Sequence, residues 1–328
     1  MQTRYSPTEY LYASTRIRAL ENGLIGKAKL DTLLLAATHE EQLAALKAAG
    51  VSAEGEDVEA ALLSMLREGI DSVKRSIPDP SLAHVIEYPY DCHNVKSYLK
   101  ATRRGIDPAT LLIDAGTVPA LDLIKALEAG ELSPLPQHMA AAVPMASEAF
   151  AKTADPREID FIMDRALFAD LSHAAAGLPF AERLVSARAD FTNLLICLRL
   201  LRGKHRHIAR TLFGRAMLPG GTLTEGFFEV GFGEGEGALL TALAVSTPYG
   251  RIAAGADKRT MWELERMADD YLMVLVREVK YLSFGAEIPL AYLWGLETSI
   301  KNVRILLAGK KAGLDVATLR ERIRESYV

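Results

Sequence analysis

Cysteine is nearly absent from this 328-residue chain, which holds only Cys92 and Cys197. Two thiols cannot build a disulfide framework, and a cytoplasmic protein with free thiols is expected. No apolar run approaches the roughly 20 residues that spanning a bilayer requires, although mean hydropathy is slightly positive at +0.09. The opening stretch MQTRYSPTEYLYASTRIRAL lacks the basic-then-apolar layout of a secretory leader. Positive charge is not in excess either. A net charge of −4 and a pI near 6.0 offer no global attraction to nucleic acid, whose binding rests on phosphate neutralisation. Alternating runs of Val, Ile and Thr are scarce, so strands are not expected.

What fills the chain is Ala, Leu, Glu, Lys and Arg in long segments, and the fold expected is all-α. Breaks are expected where proline removes a helix donor and glycine loosens the backbone. These fall at SIPDPS (Ser76 to Ser81), LSPLPQ (Leu132 to Gln137), AGLPF (Ala176 to Phe180), Met217 to Gly237, and VSTPYG (Val245 to Gly250).

One helix is written three times. With Asn94, Asn193 and Asn302 in register, the next position holds Val95, Leu194 and Val303, and five positions on stand Leu99, Leu198 and Leu307. Four positions on are Tyr98, Cys197 and Leu306, so one face of each helix is apolar with an Asn beside it. Three before each Asn come Asp91, Asp190 and Ser299. The first and third copies also share Gly105-Ile106-Asp107 and Gly313-Leu314-Asp315, the pattern of a helix ending at Gly before an Asp-capped start. The first two share Gly116-Thr117-Val118 and Gly221-Thr222-Leu223.

Upstream, Glu158 to Leu171 and Glu263 to Val276 align as acidic amphipathic helices, Asp160 with Glu265 and Asp164 with Asp269. The copies are 193 − 94 = 99 and 302 − 193 = 109 residues apart, too far for a helical array with units of roughly 34 to 47 residues. Three similar helical domains are expected instead, at 1–130, 131–235 and 236–328, the second ending in a flexible Gly-rich connector (Gly231 to Gly237). Such units can close with pseudo-threefold symmetry, a shape suited to a symmetric partner.

The C-terminal block YLWGLETSIKNVRILLAGKKAGLDVATLRERI, the YDCHNVKSYLKA helix and the early YASTRIRALENGLI together resemble the C subunit of V-type and archaeal-type (A-type) rotary ATPases and ATP synthases, called the d subunit in vacuolar enzymes. The resemblance covers essentially the whole chain. It implies an all-helical funnel of three domains on the cytoplasmic end of the proteolipid ring, peripheral to the membrane. Such a protein receives the central shaft (D- and F-type subunits) and passes torque for proton or sodium transport. It implies no catalysis and no cofactor. Ser299 departs from the family, which usually carries an acid there. The rival readings are a free-standing helical adaptor for soluble partners and an all-helical enzyme with an unrecognised site.

The other conspicuous motifs carry little chemistry. ADDYLM (Ala268 to Met273) has Met273 where an aspartate-rich metal motif needs its third carboxylate. HEEQL (His39 to Leu43) lacks a second His, and His205 with His207 has no evident third ligand. GFGEGEG places Glu236 where a dinucleotide fingerprint needs glycine, and neither Gly203-Lys204 nor Gly309-Lys310 has a glycine at the Walker spacing. No catalytic, cofactor or metal residue is therefore assigned. The asparagines are expected as satisfied interhelical hydrogen bonds, and Asp91 and Asp190 as caps near helix starts. Basic residues follow each motif helix: Lys100, Arg103 and Arg104; Arg199, Arg202, Lys204, Arg206 and Arg210; Lys310 and Lys311. They are the candidate partner interface, or else plain solvated helix ends favoured by the macrodipole.

Overall fold

The computed structural model describes residues 5–52, 57–204 and 206–328, and every regular element among them is helical. The chain opens with α1 (Leu11–Glu21), α2 (Lys27–Leu35), α3 (His39–Ala48) and α4 (Val58–Lys74). The first motif helix, α5 (His84–Arg104), is followed by α6 (Ala120–Ala129), α7 (Gln137–Thr153) and α8 (Arg157–Ala175). The second, α9 (Pro179–Arg202), leads to α10 (Ala209–Ala216), α11 (Glu225–Glu234), α12 (Glu236–Ser246), α13 (Gly250–Ala253) and α14 (Met261–Arg277). The third, α15 (Glu287–Lys311), precedes α16 (Val316–Arg322).

Local chemistry sets these boundaries. Thr38 and Glu41 form a capping box at α3, and Asp57 accepts from Ala60 N at α4. Gly105 and Gly313 both turn with positive φ, +67° and +74°, and Asp107 and Asp315 each cap the helical turn beyond. Asp107 caps a 3₁₀ turn, Pro108–Thr110, whereas Asp315 caps α16 through Thr318 N at 2.8 Å.

Two expectations are corrected. Asp91 and Asp190 lie inside their helices, not at the starts. Asp79 caps the 3₁₀ turn Pro80–Ala83, which runs directly into α5, so the helix is established before Pro89. α9 likewise begins at Pro179, well ahead of Asp190. The Gly-rich stretch, expected as a flexible connector, forms α11 and α12. Of its glycines, Gly231 serves close packing, since a Cβ there would come within 3.1 Å of both Leu201 and Leu239, while Gly235, at φ +97°, makes the break between helices.

The chain divides into two compact units. One holds the described residues up to Ile86, Gly177–Ala181 and Asp269–Val328. Its centre is α15, where Ile288, Leu293, Leu296, Ile300, Val303 and Leu306 are buried among α1, α2, α4 and α16. Of the two leucines that the stripe places here, Leu306 is buried and Leu307 half-buried. The other unit spans Glu87–Ala176 and Glu182–Ala268, with Val95, Leu99, Leu194 and Leu198 all buried. At about 0.8 kcal/mol per buried methylene, these stripes supply the main stabilisation of each motif helix. No helix among the described residues is long and apolar enough to cross a membrane.

Candidate functional site

The three asparagines have no exposure at all, and each makes the same reciprocal pair of bonds with the backbone of a residue outside the helices. Asn94 Nδ2 donates to Ile113 O at 2.8 Å, and Ile113 N donates back to Asn94 Oδ1 at 2.8 Å. Asn193 does this with Leu218 at 3.0 and 2.8 Å. Asn302 does it with Arg324 at 3.0 and 2.8 Å. A primary amide is suited to this task because it offers one donor and one acceptor side by side, matching a backbone C=O and N–H. Aspartate would repel the carbonyl, and leucine would leave two polar groups unpaired. The expected interhelical bond is thus a clamp on a loop.

The acidic positions differ between copies. Asp91 accepts from Thr117 N at 3.1 Å, Thr117 Oγ1 at 2.6 Å and Val118 N at 3.3 Å. Burial pushes its carboxyl up to about 6; the Thr117 and Val118 bonds oppose this and the Glu87 charge adds to it. Asp190 accepts from Thr222 Oγ1 at 2.6 Å, Leu223 N at 2.8 Å and the Tyr249 phenol at 2.7 Å. The loops come so close that a Cβ on Gly116 would sit 2.0 Å from Asp91 Oδ1, and one on Gly221 2.3 Å from Asp190 Oδ1. Only glycine fits there.

Counted from the clamped residue, the position of Gly116 and Gly221 is held in the third copy by Tyr327, and that of Thr117 and Thr222 by Val328. The Tyr327 side chain is buried and its phenol donates to Glu21 Oε1 at 2.9 Å. It lies on Gly295, one turn ahead of Ser299, where an added Cβ would meet it at 2.8 Å. The ring has replaced the glycine and the threonine hydroxyl is gone, so a carboxylate at 299 would lack both the room and the hydroxyl donor that the other copies provide. Ser299 instead donates to Gly295 O at 2.8 Å, with Ile25 O at 3.3 Å. The departure seen in the sequence has a packing cause.

The basic clusters are divided in role. Lys96 and Lys100 of α5 pair with Asp164 and Asp160 of α8, each at 2.6 Å. Arg199 of α9 pairs with Glu265 of α14 at 2.6 Å. Arg304 of α15 pairs with Glu59 of α4. Each motif helix is therefore tied to the acidic helix that precedes the next copy's motif helix, and the third to the one that precedes the first. Being partly exposed, such pairs contribute at most about 1 kcal/mol each, so the pattern matters more than its energy. Arg202 and Lys310 are occupied inside the fold, Lys310 by Leu34 O at 2.8 Å and Ala36 O at 2.6 Å. Arg210 pairs with Glu229. Arg103, Arg104, Lys204 and Lys311 are the exposed members without an ion-pair partner among the described residues. His205 lies outside the described residues. Cys92 and Cys197 are buried and form no disulfide, and burial raises both thiols.

Sequence reasoning missed Tyr249 and Tyr327, the aromatic groups that distinguish one copy from the next. The family model for the ATP synthase (C/AC39) subunit matches residues 13–322. The C subunit of a V-type sodium ATPase from Enterococcus hirae is 26% identical over 262 residues, which is 78% of this chain and 78% of that one.

Proposed function

The chain belongs to the ATP synthase (C/AC39) subunit family, and from that premise we propose that it is the non-catalytic central-stalk subunit of a V-type ATPase or ATP synthase. In this reading it joins the central shaft, of D- and F-type subunits, to the membrane proteolipid ring and passes torque between them. A C/AC39 subunit is an accessory part of the V-type ATPase complex.

The observation that carries the stalk role is the threefold asparagine clamp, with its cation–acid pairs running from each copy to the next and from the third to the first. Torque transfer needs elements that do not yield. A helix whose nearby loop is pinned by two buried hydrogen bonds moves with that loop, and close-packed interiors transmit strain. The same pattern supports three domains, 1–130, 131–235 and 236–328, in pseudo-threefold arrangement. Two non-slipping interfaces, each above about 1,000 Å², complete the requirement, and Arg103, Arg104, Lys204 and Lys311 are the cations available to them.

Reconstitution tests this. A complex rebuilt without the subunit is expected to keep ATP hydrolysis by its catalytic head and to lose ATP-driven ion transport, which adding the purified chain restores. Transport undiminished by its omission would defeat the proposal.

A further inference from the structure

The first and second copies differ at one arginine, which in the first has no ion-pair partner among the described residues. Aligned on the asparagines, Arg103 and Arg202 hold the same helical position. Arg202 is fully engaged: its Nε lies 3.0 and 3.1 Å from the Glu236 carboxylate oxygens, Nη1 donates to Arg259 O at 2.7 Å, and Nη2 donates to Ala256 O at 2.8 Å and to Glu236. Glu236 reaches it because Gly235 alone separates α11 from α12.

In the first copy the matching connection, between α6 and α7, runs over residues 130–136, and Gln137 rather than an acid opens the next helix. The longer connection leaves Arg103 exposed and without a carboxylate. It also leaves a groove of about 390 Å³ whose walls include Tyr98, Thr102, Leu132, Pro144 and Phe150, with Arg103 at its rim. The acid nearest the groove's tyrosine, Glu128, acts on Tyr98 and makes no ion pair with Arg103.

We propose that this groove binds the acidic, apolar end of a helix from a partner protein, supplying to Arg103 the carboxylate that Glu236 supplies to Arg202. Guanidinium and carboxylate match as a two-pronged pair. Apolar side chains of the same helix end fill the wall of Leu132, Pro144 and Phe150. A free inorganic anion would satisfy the arginine and leave that wall wet. The proposal goes beyond the stalk reading and holds whichever protein supplies the helix.

The test uses the full chain and a fluorescein-labelled, helix-stabilised peptide, GEGALLTALAVSTP, the sequence of residues 235–248. Anisotropy titration is expected to show saturable binding that Arg103→Glu weakens by about tenfold or more, as does Glu236→Lys in the peptide. Combining the Arg103→Glu chain with the Glu236→Lys peptide is expected to restore binding to within about threefold. Because Arg103 is exposed, its variant should melt with the wild type, which separates lost binding from lost folding. Absence of saturable binding, indifference to Arg103→Glu, or failure of the reversed pair to recover overturns the proposal. So does full competition by inorganic phosphate at matched ionic strength, which would reduce the site to a bare anion contact. Capture of the shaft or ring can succeed while this peptide fails, so the two readings fall separately.

Discussion

In the first two copies of the motif a buried aspartate gathers the returning loop through a threonine hydroxyl and backbone N–H groups; in the third, Ser299 stands at that place and the Tyr327 ring fills the space. The asparagine clamp three residues later is unchanged in all of them. The difference separates what the motif requires from what it tolerates. The backbone pairing cannot vary, because any other side chain leaves a buried C=O or N–H unmet. The acidic position can vary, provided the loop brings either donors and a glycine or an apolar filling.

The largest effect is expected from forcing the third copy to resemble the others. Ser299→Asp places a carboxylate beneath Tyr327 with no threonine hydroxyl to receive it, and should destabilise the chain by roughly 3–5 kcal/mol. Urea unfolding would show it, and a midpoint equal to wild type would mean that donors exist there after all. Next comes the invariant part. Asn193→Leu removes both partners of Leu218 and is expected to cost about 2–4 kcal/mol, with Asn94→Leu and Asn302→Leu similar; a cost confined to one copy would break the equivalence.

The two aspartates can then be compared by pH. Asp91 titrates at about 6 in the folded chain against an ordinary 3.8. A raised carboxyl favours folding while protonated, so its contribution is full below pH 3.8 and is lost as pH rises through about 6, roughly 3 kcal/mol in all. Asp91→Asn should flatten stability against pH in that window, as measured by chemical denaturation at successive pH values. An identical slope in both proteins would reject the assignment. The smallest effect belongs to the surface pairs. A double-mutant cycle on Lys100 and Asp160, or on Arg199 and Glu265, should give a coupling below about 1 kcal/mol; a value several times larger would make these pairs structural anchors.

The helical class, the threefold repeat and the burial of Val95, Leu194 and Val303 were legible in the sequence, because a stripe at helical spacing beside a repeated Asn is a local signal. The partners of those asparagines were not, since they lie 19, 25 and 22 residues away in segments of which only the first two share residue types. The Gly-rich stretch misled for a related reason: glycine marks both flexible backbone and close helix contact, and only Leu201 and Leu239 pressed against Gly231 tell the two apart. The basic clusters were visible as charge. The division between Arg202, held by Glu236 and carbonyls, and Arg103, left exposed, arises from the length of a loop two elements away.

If the chain works as a rotor component, it must bridge two partners. The direct measurement is capture by the purified protein of detergent-solubilised proteolipid ring and of isolated shaft subunits, each alone and then together. One ternary complex of fixed stoichiometry is the expected result. A folded chain that binds neither partner would contradict the bridging role and bring forward the reading of a free-standing helical adaptor.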